Sequence, residues 1–598
     1  MIVVGLSALY HESACCALVD GRLVAAAAEE RFSRIKHDPA LPVRAFRWCL
    51  ERAGARITDV DAVAWYEEPG AKLSRQLWAG PAADDRELAW LDPGAAERAV
   101  RERLGWDGPL PTFAHHLCHA ASAYLYSGFE EAAVLTADGV GEWATTAYGH
   151  GAGGEVALFA EVDFPHSLGL FYSAVTAYLG FRVDADEYKV MGLAPYGRPS
   201  RLDAMRRLLR SRPGPGFELD LRYFGFLGGG RMDGDAMGEL LGRPRRRPEE
   251  PIDPAADPFW ADVAASAQAA LEEVLLEKVR WLHAELGRRL GRAPRELAMA
   301  GGVALNCVAD GRILREGPFE RLFVQPAAGD AGGCLGAAAL AHRALGGGRP
   351  EPLAHAFLGP AFAADEVARL LAASGLAAAD FRGREAELVE AVAARLAAGA
   401  VVGWLHGAME HGPRALGARS FLADPRRPGM RDRLNRAVKR REAFRPFAPS
   451  VLADRAAEHF DLDHPSPFML ETCRVASPLP LPAVTHVDGS ARPQTVDPSA
   501  APRFAALLAA FERRTGCPVL LNTSFNVAGE PIVAGPADAL LAFASAPIDL
   551  LVLEDFVVDR RDLPAELPEL VRAWRGDGFR RPFAAAGGPL SETLYAFV

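Results

Sequence analysis

The sequence has few cysteines for its length, and they form no CxxC pair. The eight cysteines are scattered from residue 15 to residue 517. A disulfide-rich secreted scaffold and a cysteine-rich zinc site both need closely spaced cysteines, so the sequence indicates neither. We therefore expect reduced thiols and a cytoplasmic protein.

Long apolar segments and an excess of positive charge are also missing. No uncharged apolar run is long enough to span a bilayer, and no cationic stretch precedes the first apolar residues. The 66 Lys and Arg residues are outnumbered by 77 Asp and Glu residues, which gives a net charge of -11. Without a global basic field, counterion release does not hold a nucleic acid. We expect neither a membrane partner nor a nucleic-acid partner, so any anion site must be local.

The apolar content is sufficient for two large cores. The chain has 598 residues, of which 50% are hydrophobic, and it exceeds the size of a single core. The composition shifts toward Gly and Pro at 346–360, which we interpret as a linker. We therefore expect two α/β domains, with boundaries at 1–350 and 351–598.

Two stretches of the first half share a strand, turn, strand pattern. One is formed by IVVGLSA and CCALVDGRLVAAAA at the start of the chain, and the other begins at residue 132 with AAVLTADGVGEWATTAYGHG. Apolar residues at helical spacing, without proline, predict a long helix over 259–290.

Later segments give weaker local patterns. We predict a helix over 384–398 and strands at 400–405 and 518–521. Segments 243–254 and 476–502 are rich in Pro with charged or small residues, and we interpret both as surface loops.

Two histidines and two aspartates form a candidate metal site. His115 and His119 are four residues apart in HHLCHAASAYLY, a segment typical of a helix, so both imidazoles project from one face. Asp138 follows an apolar strand, and Asp330 lies at a Gly-rich strand-to-helix junction. This mixed N/O set suits iron, manganese or zinc. The alternative is that the histidine pair is structural and that Asp138 is a turn residue.

Small residues near these four indicate a nucleotide site. Gly139, Gly141, Gly301 and Gly302 allow phosphates to approach the backbone closely, and Asn306 can hydrogen-bond a base or ribose. None of these residues identifies a nucleotide by itself.

The second half mixes cations with Gly, Pro and Phe. Two strings, MEHGPRALGARSFLADPR (409–426) and LNRAVKRREAFRPFAPS (434–450), each contain several cations. A third string, LNTSFNVAGEPIV (521–533), places neutral donors after a predicted strand. A Lys/Arg run is usually a solvated helix face, but the Gly and Pro residues that shape loops favour an anion site here.

These strings together resemble a known family. The strings HHxxHAASAY, DGxGE, EYKVMGLAPYG, GGVALN and PAAGDAGGCLGAA are similar to the nodulation-protein and antibiotic O-carbamoyltransferases, nearly end to end. The resemblance implies an N-terminal domain of the actin, sugar-kinase and heat-shock-ATPase fold, as in threonylcarbamoyl-transfer enzymes. It also implies a C-terminal YrdC-like α/β domain, and Fe(II) held by the two histidines and two aspartates.

The same resemblance implies roles for further residues. His11 is the candidate base for the acceptor hydroxyl. Glu12 stands where the family usually has aspartate, which keeps the charge on a longer arm. Glu187 and Lys189 are expected near the ribose or the acceptor. In the C-terminal domain, with Arg414 and Lys439 as the catalytic pair, the candidates for handling ATP and carbamoyl phosphate are Arg414, Arg419, Lys439, Arg441, Arg445, Asn522, Ser524 and Asn526.

We therefore expect an enzyme that forms carbamoyladenylate from carbamoyl phosphate and ATP, with Mg(II), and carbamoylates a hydroxyl of a small natural-product acceptor. One alternative is threonylcarbamoyl transfer to tRNA, which the acidic charge balance disfavours and which predicts retention on RNA. A second alternative is a nucleotide-binding regulator without catalysis. It is suggested by Glu12 and by Ala408, which stands where the family commonly has arginine, and it predicts no release of AMP and pyrophosphate.

Overall fold

The computed structural model describes residues 1–80, 91–227 and 230–571, and it divides into two compact α/β units. Among the described residues, the first unit comprises Met1–Ser33 and His37–Leu353, and the second comprises Arg34–Lys36 and residues 354–571. The change of unit after Leu353 falls inside the segment interpreted as a linker. The predicted second domain extends to 598, and its last part, 572–598, lies outside the described residues.

The first unit begins with a four-stranded sheet in the order β3-β2-β1-β4. Its strands are β1 (Ile2–Ser7), β2 (Ala14–Val19), β3 (Arg22–Ala28) and β4 (Ala62–Trp65). Asp20 and Gly21, which join β2 to β3, both have positive φ, as a tight hairpin requires. The predicted strand, turn, strand pattern is confirmed, and β4 adds a strand parallel to β1.

A second sheet repeats this arrangement in the order β11-β10-β5-β6-β7. Here β5, β6 and β7 form the antiparallel meander, and β10 lies parallel to β5, as β4 does to β1. A separate hairpin is formed by β8 and β9. The bounds are β5 (Glu131–Ala137), β6 (Ala144–Ala152), β7 (Glu155–Asp163), β8 (Leu209–Ser211), β9 (Phe217–Leu219), β10 (Glu296–Ala300) and β11 (Arg321–Val324).

The helices of the first unit pack on these two sheets. Their bounds are α1 (Glu30–Ser33), α2 (Val43–Arg52), α3 (Pro69–Ala79), α4 (Ala95–Ala99), α5 (His115–Tyr124), α6 (Leu168–Tyr178), α7 (Glu187–Leu193), α8 (Leu202–Leu208), α9 (Asp235–Leu241), α10 (Phe259–Leu290), α11 (Cys307–Glu316) and α12 (Gly333–Ala344). The predicted helix 259–290 is confirmed as α10.

Helix α12 approaches both β1 and α5 very closely. A Cβ atom on Gly5 would lie 1.9 Å from the carbonyl oxygen of Cys334, and one on Gly336 would lie 1.8 Å from that of Cys118. Only glycine fits at these two contacts. They place α5, which carries both candidate histidines, at a defined distance from α12, which begins just after Asp330.

The second unit is built on an eight-stranded sheet in the order β12-β21-β20-β13-β14-β19-β15-β18. Its apolar core includes the fully buried side chains of Trp404, Phe421, Phe525 and Leu551. The strand bounds are β12 (Ala379–Asp380), β13 (Val402–Leu405), β14 (Arg419–Ala423), β15 (Ala448–Leu452), β16 (Cys473–Arg474), β17 (Ser490–Ala491), β18 (Gln494–Val496), β19 (Val519–Ser524), β20 (Leu550–Leu553) and β21 (Phe556–Asp559).

The helices of the second unit include the one predicted over 384–398. The bounds are α13 (Ala364–Ser374), α14 (Glu385–Ala397), α15 (Met430–Arg433), α16 (Ala456–His459), α17 (Pro502–Thr515) and α18 (Pro536–Ser545). The predicted helix corresponds to α14, and the two predicted strands correspond to β13 and β19.

Both segments interpreted as surface loops contain buried parts, so those interpretations were wrong in part. Segment 476–502 contains β18, which pairs in parallel with β15. In 243–254, the buried Arg246 donates to the carbonyl oxygen of Leu179 at 2.6 Å. Both contacts join residues distant in sequence, which local composition does not reveal. Among the described residues, no helix combines the length and apolar character needed to cross a membrane.

Candidate functional site

The four candidate metal ligands of the first unit come together. One ligand atom from each of His115, His119, Asp138 and Asp330 lies within 4.8 Å of the other three. The Nε2 atom of His119 is 2.8 Å from Oδ2 of Asp138 and 3.6 Å from Oδ1 of Asp330. The Nε2 atom of His115 is 3.4 Å and 3.5 Å from the same two oxygens. Two nitrogen and two oxygen donors therefore face one point.

Secondary structure explains this convergence. His115 is the first residue of α5, and His119 follows one turn later on the same face. Asp138 directly follows β5, while Asp330 lies between β11 and α12. His116 turns away and places Nδ1 2.7 Å from Oγ1 of Thr136, as the helical spacing predicts.

The cluster is electrostatically coupled. Burial lowers the pKa of His119, but hydrogen bonds and charges from Asp138 and Asp330 outweigh it and raise this pKa to about 9. Burial opposes ionisation of Asp138, yet the two histidines hold the pKa of that carboxyl well below its usual range. Carboxylates and imidazoles held this closely suit a divalent cation.

The glycines predicted for a nucleotide site do not form an open loop. They lie close to Asp138 and His115. The N–H groups of Gly139 and Gly302 donate to Oδ1 of Asp138 at 2.8 and 3.1 Å. Gly301 has φ +93°, and a Cβ atom there would lie 2.2 Å from the carbonyl oxygen of Ala137. A Cβ atom on Gly141 would lie 3.0 Å from the His115 ring. These glycines keep the backbone close to the candidate metal ligands, and their contact with a nucleotide stays a prediction.

His11 and Glu12 lie in the electrostatic field of the same carboxylates. Burial lowers the pKa of His11, but Asp330, Asp184 and Glu12 raise it to about 9. His37 places Nδ1 3.3 Å from Oε1 of Glu12. Burial opposes ionisation of Glu12, but its contact with His37 lowers its pKa to about 2. An imidazole with this pKa is protonated at neutral pH, so His11 takes a proton only if nearby positive charge lowers its pKa.

Glu187 lies close to this region. Its carboxylate accepts hydrogen bonds from the Ser173 hydroxyl and the Asp184 N–H, both at 2.9 Å. Burial and the charge of Asp184 raise its pKa to about 7. Lys189 places Nζ 3.1 Å from Asp186.

Asn306 makes its hydrogen bonds within the protein. Its amide exchanges two hydrogen bonds of 3.0 Å with Gln268, and its oxygen accepts the N–H of Ala309 at the start of α11. The side chain therefore caps a helix, and its contact with a base or ribose stays a prediction.

The candidate anion site of the second unit centres on Lys439. This buried residue ends a π-helical turn, Leu434–Lys439, a form that is frequent at functional sites. Its ammonium contacts the Ser524 carbonyl and lies 2.8 Å from Oδ1 of Asn526 and 3.2 Å from Oγ of Ser524. Burial and the charges of Arg441 and Arg445 hold the pKa of Lys439 well below its usual range.

Three other candidate cations, Arg414, Arg441 and Arg445, are less buried than Lys439. Arg441 donates to Oδ1 of Asn435 at 2.7 Å, and Arg445 lies 3.5 Å from Glu442. Arg414 is partly exposed in the loop before β14. The structure therefore brings Lys439, Ser524 and Asn526 into direct contact, with Arg441 and Arg445 near enough to shift the lysine pKa.

Two residues predicted to bind the substrates, Arg419 and Asn522, make their hydrogen bonds within the protein. Arg419 is fully buried, and its guanidinium donates to the carbonyl oxygens of Ala534, Gly407, Ala418 and Pro360. Because these bonds occupy its donors, Arg419 supports the loops around β14.

Asn522 is also buried. Its amide donates to Oγ of Ser450 at 3.0 Å and to Oε1 of Gln494 at 3.1 Å. Arg419 and Asn522 lie in two of the strings from which the anion site was predicted. The sequence did not reveal that their side chains bond to groups of the protein itself.

Sequence reasoning did not single out three polar residues of the first unit. Asp184 has positive φ, and its Oδ2 atom is buried without a hydrogen-bond partner among the described residues. His37 contacts Glu12. Glu142 accepts the N–H of His115 with both carboxylate oxygens, at 2.9 and 3.1 Å. Only the spacing of the DGxGE string pointed toward Glu142.

Two family models cover most of the chain. The model of the carbamoyltransferase N-terminus matches residues 2–81 and 99–339, and that of the carbamoyltransferase C-terminus matches residues 393–560. Both predicted sites lie within the matched regions.

Two relatives span nearly the whole chain, and a third spans about half of it. An uncharacterized protein of Synechocystis sp. is 43% identical over 94% of this chain and 97% of its own length. Nodulation protein NolNO of Sinorhizobium fredii is 39% identical over 93% of this chain and 80% of its own length. The 3'-hydroxymethylcephem-O-carbamoyltransferase of Amycolatopsis lactamdurans is 37% identical over 47% of this chain and 52% of its own length. The chain therefore belongs to the carbamoyltransferase family and is an enzyme of that type.

Proposed function

We propose that this enzyme forms carbamoyladenylate from carbamoyl phosphate and ATP and transfers the carbamoyl group to a hydroxyl of a small natural-product acceptor. The observation that carries the proposal is the convergence of His115, His119, Asp138 and Asp330 in a chain of this family. Catalytic function is favoured over a nucleotide-binding regulator because both halves match carbamoyltransferase models.

The four-residue cluster is the proposed metal centre. Its donor set of two imidazoles and two carboxylates fits Fe(II) and also other divalent ions of the first transition series. A bound divalent cation would supply a Lewis acid for the carbamoyl oxygen. The protein contributes the buried position and the N–H groups of Gly139 and Gly302, which orient Asp138.

His11 is proposed to remove the proton of the acceptor hydroxyl. The carboxylates of Asp330 and Asp138 contribute to its raised pKa, so a cation held by those carboxylates would lower that pKa toward neutrality. His11 would then be a base at the pH of the cell. Glu12 keeps a negative charge beside the imidazole and stabilises its protonated form after the transfer.

The adenylation step is assigned to the second unit. Water hydrolyses carbamoyl phosphate to carbamate and inorganic phosphate. The carbamate oxygen then attacks the α-phosphate of ATP and breaks its bond to the β-phosphate, which forms carbamoyladenylate and releases pyrophosphate. Lys439, Arg441, Arg445 and Arg414 would offset the negative charge of the reactants, in the presence of Mg(II). The acceptor oxygen then forms the new C–O bond in the first unit, and AMP leaves.

The topology is compatible with the two fold types that the family resemblance implies. The two sheets of the first unit repeat a meander with a parallel strand beside its first strand, as expected for a duplicated fold of the actin and sugar-kinase type. The separate α/β sheet of the second unit is compatible with a YrdC-like domain.

The experiment combines purified protein, ATP, Mg(II), carbamoyl phosphate and a panel of hydroxylated metabolites. We expect AMP and pyrophosphate to appear only when carbamoyl phosphate is present, and one metabolite to gain the mass of CONH2 in place of hydrogen. Carbamoyl transfer without any AMP release would contradict the adenylate route. Strong retention on RNA would favour the tRNA-modifying alternative.

A further inference from the structure

Glu142 lies in the turn after β5, four residues after Asp138, and has no role in the chemistry proposed above. We propose that Glu142 is a positioning residue, which caps α5 from the neighbouring turn and thereby holds His115 in place for the metal. This inference rests on the proposed metal centre, and it assigns to the glutamate a role in metal affinity that is separate from its contribution to folding.

The start of α5 needs such a cap. The first N–H groups of a helix have no partner within the helix, and Ala114, which precedes α5, has a methyl side chain that cannot accept a hydrogen bond. Both carboxylate oxygens of Glu142 accept the N–H of His115, at 2.9 and 3.1 Å. A carboxylate at this end of a helix also interacts favourably with the helix dipole.

The same carboxylate also accepts a hydrogen bond from a second chain segment. Oε1 of Glu142 accepts the N–H of Glu68 at 2.7 Å, and Glu68 directly precedes α3. The side chain of Glu142 is buried, with 8% of its surface exposed, so these charge-assisted bonds are shielded from water. Glu142 therefore ties together the start of α3, the start of α5 and the turn after β5.

The spacing of the turn now has a physical explanation. Asp138 and Glu142 are four residues apart, so one turn supplies both a metal ligand and the support of another ligand. Gly141 allows the turn to lie against α5, because a Cβ atom there would lie 3.0 Å from Cβ of His115. Since His115 is the first residue of α5, any shift of the first helical turn moves its Nε2 atom relative to Asp138 and Asp330.

A helix cap elsewhere in the same unit provides a matched control. Glu29 is also buried, and its carboxylate accepts the N–H groups of Arg44 and Ala45 at the start of α2, at 3.0 and 2.8 Å. Helix α2 carries none of the four proposed ligands. Loss of either cap is expected to lower stability by a similar amount, but only loss of Glu142 should change metal binding.

The test is an anaerobic titration of the metal-free full-length enzyme with Co(II) alone, followed by its visible absorption. We expect Glu142→Ala to raise the Kd for Co(II) about 10- to 100-fold, as for other supports of metal ligands. Glu29→Ala should leave the Kd unchanged. Glu142→Gln, of equal length, should retain more affinity than Glu142→Asp, whose shorter arm does not reach both N–H groups.

The outcomes separate the positioning role from the metal centre itself. If the wild type binds Co(II) and Glu142→Ala binds it equally well, the positioning role is overturned while the metal centre stands. If Glu142→Asp binds as the wild type does and Glu142→Gln does not, the charge and not the position matters, and the inference is wrong. If the wild type binds no Co(II), both proposals fail.

Discussion

The two candidate sites carry opposite imbalances of charge. In the first unit, Asp138 and Asp330 converge with two imidazoles, and their charge raises the pKa of His119 to about 9. In the second unit, the ammonium of Lys439 is buried among neutral oxygens and near other cations, and its pKa is held well below the usual range. A bound cation would offset the repulsion between the carboxylates of the first site. A bound anion would offset the repulsion between the cations of the second site.

This difference suggests a division of labour between the units. A site that attracts a metal suits the polarisation of a carbonyl group, whereas a site that attracts phosphates suits the formation of an adenylate. If the division is real, each half reaction should fail separately. Replacements at Asp138 and Lys439 test this separation and should have the largest effects, whereas smaller effects are expected at Arg419 and His464.

Replacement of Asp138 should abolish transfer and spare adenylation. We expect Asp138→Ala to lower carbamoyl transfer to the acceptor about 1000-fold, because a metal contributes several kcal/mol to the transition state. Carbamoyl-phosphate-dependent release of pyrophosphate should persist. Asp203→Ala, at an exposed carboxylate, is the control and should change neither reaction. Parallel loss of both reactions would contradict the division.

Replacement of Lys439 should have the converse effect. We expect Lys439→Met to lower pyrophosphate release about 100- to 1000-fold, the usual effect of removing one stabilising donor from a transition state. Co(II) binding should be unchanged. Arg440→Met removes an exposed neighbouring cation and should leave both properties as in the wild type. If Lys439→Met released pyrophosphate at the wild-type rate, the proposed role of Lys439 in adenylation would be wrong.

Arg419 distinguishes a support from a ligand within the second unit. Arg419→Met should lower the free energy of unfolding by about 3 kcal/mol, because buried carbonyl groups lose their donors. Urea denaturation measures this change. Arg427→Met, at an arginine that donates to the carbonyl of Ala397 at the surface, should change it by less than about 0.5 kcal/mol. Unchanged stability with lost adenylation would instead make Arg419 a direct ligand.

A surface histidine outside both sites should give the smallest effect. Hydrogen bonds that His464 donates to Glu471, and less strongly to Asp463, raise the pKa of His464 from 6.5 to about 9 although burial opposes this. The resulting stabilisation is complete below pH 6.5 and is lost as the pH rises through 9. Because the ring is partly exposed, we expect less than about 1 kcal/mol. Urea denaturation at pH 6 and pH 9 should show that His464→Gln removes this pH dependence, and an identical dependence in the variant would refute the assignment.

Several residues of the first site could be predicted from sequence because the signals are local. The spacing of His115 and His119 predicts a shared helical face, and the position of Asp138 after an apolar strand predicts a crevice. Asp330 was placed by its strand-to-helix junction and by family resemblance. Glu142 was overlooked because its role depends on a backbone N–H group of another segment.

By itself, the sequence determined the main secondary-structure elements, the two-domain organisation and the chemical types gathered at each site. Periodicity, turn residues and apolar runs are properties of neighbouring residues, so α10 and the first hairpin could be predicted directly. Only the tertiary structure decided which polar groups are already bonded within the protein, as Arg419 and Asn522 are. Their hydrogen-bond partners belong to segments that meet only after folding, so a local sequence pattern does not show which polar groups stay available for a ligand.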